Sequence, residues 1–94
     1  MTRRQGRYYD AEPLYQQVLA DQQRVLGDRH PATLTTSHGL AEAIAGQDRY
    51  AEAEQLLRQV LVDRERILGT GHPDTQATRQ DLDRMIQLNG HTTS

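Results

Sequence analysis

His38 and Glu42 stand four residues apart. On a helix that spacing places both on one face, where an imidazole nitrogen and a carboxylate oxygen could reach the same divalent cation. Two ligands are too few for a site, so the pair alone predicts neither a bound metal nor any other cofactor. Two further histidines recur as His30-Pro31 and His72-Pro73, 42 residues apart. Each is read as a cap before a helix-starting proline, because no carboxylate spacing accompanies them. Glu12/Glu54, Asp21/Asp63 and Arg24/Arg66 repeat at the same interval. Duplicated charge on a helix surface forms local ion pairs, worth a few tenths of a kcal/mol, more readily than a catalytic acid pair. There is no Ser-His-Asp order, glycine-rich phosphate loop or HExxH run. The chain is therefore read as a non-enzyme, with no catalytic residues.

Helices must position these groups. The stretch from Tyr50 to Pro73 carries apolar residues at Tyr50, Ala53, Leu56, Leu57, Val60, Leu61, Ile67 and Leu68. Gaps of three and four put them on one helical stripe. Gly69 then supplies a left-handed stop, and Pro73 can open the next helix. Tyr8 to Pro31 repeats this text, with Gly27 as its stop. The expected helices span about residues 8–26, 32–45, 50–68 and 74–88. Pro13 should make the first helix begin near Asp10 or bend. Gly39, inside the second, costs about 1 kcal/mol relative to Ala. Asn89-Gly90 is expected to stop the fourth. Residues 1–7 and 91–94 are expected to be flexible ends around a single domain over 8–90.

The bulk composition narrows the function. The chain has 94 residues, 35% of them hydrophobic, with no Phe, Trp or Cys. That allows one small domain with a thin core of Leu, Val, Ile, Ala and Tyr. Net charge is −2, and all 11 cations are Arg interspersed with acids. No basic field exists to hold nucleic acid by its phosphates. Without cysteine there is no disulfide and no thiolate zinc site, which fits a reducing, cytoplasmic setting. No apolar run approaches the roughly 18 residues of a membrane span, so no membrane role is expected. The charged start MTRRQGRYY has no apolar segment behind it and is not read as a signal peptide.

Residues 7–48 align with 49–90 without a gap and share 18 identities. The chain is one unit copied. Arg49-Tyr50-Ala51-Glu52-Ala53-Glu54, then Leu68-Gly69, then His72-Pro73-Asp74-Thr75 carry a further likeness. In order, spacing and period they resemble the tetratricopeptide repeat in its 42-residue kinesin light chain form. The resemblance covers nearly all of residues 5–90.

That resemblance implies an all-α solenoid of helix pairs, each an A helix followed by a B helix. The chain starts out of phase, so the four helices run B-A-B-A. Leu40, Ala41 and Ile44 map to family core positions of helix A, and Ala53, Leu57 and Val60 to those of helix B. The A helices of the family line a groove for extended peptides. Carried over, the groove is Thr35, His38, Glu42 and Ala45 from the second helix, and Ala77, Gln80, Arg84 and Gln87 from the fourth. The expected partner is a protein or peptide. Departures from the family pattern are Ser37 at a large apolar position, Asp48 at the usual turn Gly, and Asp83 at a small-residue position. A stack needs about three units to be stable, and this one has two. The first helix should leave Tyr8, Leu14, Tyr15 and Val18 uncovered on one side. The expectation is a homodimer or exchanged arrangement through residues 8–26, or membership of a longer repeat array; the alternative function is a regulatory or structural repeat segment of a larger multidomain protein with no independent activity.

Overall fold

The structure is a computed structural model that describes the backbone of residues 2–93 and the side chains of residues 7–90. Four helices follow one another: α1 (Thr2–Val25), α2 (Pro31–Ala45), α3 (Tyr50–Leu68) and α4 (Pro73–Thr93). No strand occurs among the described residues. Each helix packs on its neighbour in sequence, so α1, α2, α3 and α4 form a row of antiparallel pairs. Short connections enforce that order.

The turns repeat with the 42-residue period. Gly27 and Gly69 take φ of 95° and 90°, a left-handed conformation that a Cβ would disfavour. His30 then caps α2, its Nδ1 accepting from the Ala32 N–H at 3.1 Å. His72 caps α4 in the same way, accepting from the Asp74 N–H at 3.0 Å. Both histidines are caps, as their place before proline predicted. The α2–α3 turn lacks this device. There Asp48 itself adopts φ 64°, in the position where the family pattern has Gly.

The core joins Leu40, Ala41 and Ile44 of α2, Ala53 and Leu57 of α3, and Leu82 and Met85 of α4. Val60 is also buried, so all six positions expected from the family pattern are inside. Ile67, expected on the same stripe, is exposed. It lies in the last turn of α3.

Two helix boundaries differ from expectation. α1 begins at Thr2 and runs through Pro13. Pro13 is exposed, and the helix gives up one backbone hydrogen bond there. α4 continues through Asn89-Gly90 to Thr93. Asn89 stays helical and spends its side chain elsewhere, donating from Nδ2 to Glu54 Oε1 at 3.3 Å. Met1 and Ser94, parts of the two expected flexible ends, lie outside the described residues.

A duplicated polar latch ties each B helix to the end of the next A helix. Glu12 Oε1 accepts from Gln47 Nε2 and from Arg49 Nη1, each at 2.8 Å. One unit later Glu54 takes the equivalent amide of Asn89 and the guanidinium of Arg58. Arg49 also grips Glu52 with two bonds, at 2.9 and 2.6 Å. The bonds from Gln47 and Arg49 hold the Glu12 carboxyl below the ordinary carboxylate range, against the opposing cost of burial. Arg49 does the same to Glu52, and Arg58 with Asn89 to Glu54.

The sign of the pH effect follows from these lowered values. A carboxylate whose folded pKa is depressed adds stability above its unfolded value, near 4.5 here, and loses it as pH falls through the folded value. The melting temperature is expected to be flat above about pH 5 and to drop steadily below pH 4.5. Glu12→Gln should lower the plateau and flatten the acid slope. Thermal melts at pH 3 to 7 on both proteins check this, and an unchanged slope in the variant would refute the latch.

Candidate functional site

The face shared by α2 and α4 gathers the polar side chains with the most connected chemistry. α2 presents Thr35, His38 and Glu42 on one side, each about a turn from the next. α4 runs beside them; α3 packs against both helices, and α2 packs equally on α1. His38 Nε2 lies 2.8 Å from Asp81 Oδ2, a side-chain bond directly between α2 and α4. Arg64 enters from α3 behind them. Its Nη1 donates to Thr78 Oγ1 at 2.8 Å and to the Asp74 carbonyl at 3.3 Å. Its Nη2 reaches Thr35 Oγ1 at 3.4 Å.

Arg64 Nη1 also lies 3.5 Å from His38 Nδ1. A carboxylate only accepts, so Nε2 carries the ring proton that is donated to Asp81, and Nδ1 faces the guanidinium. The chain Arg64–His38–Asp81 therefore has one consistent direction. Asp81 Oδ1 accepts from Arg84 Nη1 at 3.4 Å and extends it to the surface. Both imidazole nitrogens are engaged.

Of the expected groove residues, Thr35, His38 and Arg84 enter this network. Glu42 is exposed beside it, with its carboxylate within 4.8 Å of the His38 and Asp81 donor atoms. Ala77, Gln80 and Gln87 are exposed on α4, while Ala45 of α2 is half-buried. The sequence reading missed Asp81 and Arg64. Arg64 carried a signal: the stripe Leu57, Val60, Leu61 calls for an apolar residue one turn on, and Arg stands there instead. A small open cavity elsewhere, of about 210 Å³, lies between Asp48–Glu52 and Asn89. Drug-sized ligands usually occupy roughly 300 Å³ or more.

The other expected surface is α1. Tyr8 is half-buried, its ring laid on Gly46, and Tyr15 lies over Gly39. Both glycines of α2 thus mark close approach of an α1 aromatic. Leu14 and Val18 point away, 64% and 48% exposed. Repeat symmetry makes the second number decisive. Val60, the equivalent of Val18 one unit later, is 1% exposed. The residue is the same and the helix is equivalent, so the difference is the helix on the far side. α3 has α2 there, and α1 has nothing among the described residues.

A family model for the tetratricopeptide repeat matches residues 1–62. The chain belongs to the tetratricopeptide repeat family. Among solved structures it is similar to the nearly identical TPR-like repeats of a Podosopora anserina kinesin light chain-like protein, at 34% identity and a TM-score of 0.85. A Q17M form of that protein matches at 33% identity and the same TM-score. In both cases 98% of this chain is covered, and it spans 44% of the longer chain. No curated protein matches it. The tetratricopeptide repeat is a protein-interaction scaffold, and the four-helix row seen here is two units of that scaffold, with the B-A-B-A phase its sequence implied. No helix among the described residues is long and apolar enough to cross a membrane.

Proposed function

We propose that this repeat pair binds an extended peptide or protein segment along the α2–α4 face and pairs with a second copy of itself through α1. The groove would comprise Thr35, His38, Glu42, Gln80, Arg84 and Gln87, with Asp81 added. Donors and acceptors alternate there: Arg84 and the glutamine amides donate, while Glu42 and Asp81 accept. Such a surface suits the backbone and polar side chains of an extended segment. Peptides selected from a random library against the chain should bind less well to Gln80→Ala and Arg84→Ala. Undiminished binding to both variants would move the groove elsewhere. No catalytic role is proposed.

The observation behind self-association is the contrast between Val18 and Val60. The two ends of the row also differ. α1 exposes Leu14, Val18 and Val25, with Leu26 just beyond its end, whereas α4 carries exposed Asp83 and Arg79, the latter paired with Glu65 of α3. A head-to-tail stack would bury Asp83 against an apolar face at considerable cost. Two α1 faces meeting about a two-fold axis avoid that cost and close the assembly. Light scattering at micromolar concentration should give twice the 10.7 kDa chain mass, and Val18→Arg should halve it. A well-folded monomer for the unaltered chain would sink the pairing. The longer arrays of the similar solved structures favour a second reading, in which a preceding A helix covers the same face.

A further inference from the structure

We infer that His38, Glu42 and Asp81 form a divalent transition-metal site that joins α2 to α4. Each residue offers one donor atom, and the three atoms lie within 4.8 Å of one another. His38 and Glu42 come from one face of α2, one turn apart. Asp81 comes from α4. Two elements therefore hold the ligands, which is what distinguishes this cluster from acids that merely neighbour each other in sequence. Four-coordinate zinc with bonds near 2.1 Å places its ligand atoms about 3.4 Å apart. The His38–Asp81 separation of 2.8 Å has to open by about 0.6 Å for that geometry. Glu42 has to swing inward. It is exposed and forms no side-chain bond or ion pair among the described residues, so nothing restrains it.

The neighbours set the expected affinity. Binding at Nε2 displaces the ring proton to Nδ1, where Arg64 Nη1 now donates across 3.5 Å. Arg64 keeps its shorter bond to Thr78 at 2.8 Å, so the weak contact is the one that yields. Arg84 takes part of the Asp81 charge. Both effects weaken the site, which points to micromolar rather than nanomolar binding. One imidazole and two carboxylates favour Zn²⁺ or Co²⁺ over Ca²⁺ and Mg²⁺, which prefer six or more oxygens. The fourth position would be left for water or for a carboxylate or imidazole of a bound partner.

The role follows from packing. α2 and α4 meet chiefly through α3, so a shared ion would fasten the two groove walls directly. This inference does not depend on a peptide occupying the groove, and its test uses the metal alone. The chain, stripped with a chelator, is titrated calorimetrically with ZnCl₂ and spectroscopically with CoCl₂. The expected result is one saturable site per chain, a four-coordinate Co²⁺ absorption band, and a melting temperature raised by about 10 °C near 100-fold Kd of Zn²⁺. His38→Ala and Glu42→Gln should each weaken binding at least about ten-fold. Asp83→Asn, one face away on α4, should leave it unchanged. Glu42→Gln is the cleaner variant, since its side chain supports nothing in the fold. Absence of a saturable site, or a site that survives Glu42→Gln and His38→Ala alike, would overturn the inference and assign any bound metal to other histidines.

Discussion

Arg64→Ala should cost about 3 kcal/mol of stability and lower the melting temperature by more than 10 °C. Arg64 is 5% exposed and sits on the core side of α3. It bonds α2 through Thr35 and His38, and α4 through Thr78 and the Asp74 carbonyl. Truncation removes this bridge, leaves a cavity, and strands partners that were satisfied. Yet no carboxylate among the described residues pairs with Arg64. The buried charge therefore pays a desolvation penalty without a full ion-pair return. Arg64→Met, which fills the volume and discards the charge, should accordingly lose only about 1 kcal/mol. Urea titrations of the three proteins decide the matter. If Met proves as damaging as Ala, the hydrogen bonds outweigh desolvation and the charge is a net stabiliser. Gln22, the counterpart of Arg64 in the first unit, has a buried Oε1 with no partner, which fits a position whose bridging contacts need an A helix on both sides.

Gly46→Ala should lose about 2 kcal/mol, because a Cβ there overlaps Cδ2 and Cγ of the Tyr8 ring and comes within 2.6 Å of Cε2. The overlap is at the root of the ring, so rotating its tip does not relieve it. Tyr8 must leave α2, and the first turns of α1 lose their anchor with it. Gly39→Ala is the informative contrast. Its Cβ meets only the far edge of Tyr15, Cε1 at 2.6 Å and Cζ at 2.9 Å, and Tyr15 is 38% exposed and can swing outward. There the gain in helix propensity, up to about 1 kcal/mol, offsets much of the clash. The double variant Tyr8→Ala/Gly46→Ala should be nearly as stable as Tyr8→Ala alone, a positive coupling that a thermodynamic cycle measures directly. Additive losses would show that Gly46 is needed for the turn and not for the ring.

The four helices, their order, their 42-residue translation and the identity of most core residues were legible in the chain itself. Apolar spacing and the Leu-Gly stops act within a few residues, and the duplication displays each element twice. The histidine caps were legible for the same reason, since a residue before a helix-starting proline has one local role. Gly39 and Gly46 were not. Whether a glycine in or after α2 is incidental depends on which aromatic of α1 arrives above it, and that is set by how two helices cross. Arg64 and Asp81 were also beyond local pattern, because their partners are spread over three helices. The sequence put His38 and Glu42 on one face, but only the approach of α4 supplied Asp81 as a third ligand. Likewise Val18 and Val60 are the same letter in the same setting, and packing alone makes one core and the other surface. Short-range periodicity determines what each rod is; the company each rod keeps determines which of its atoms are available to bind.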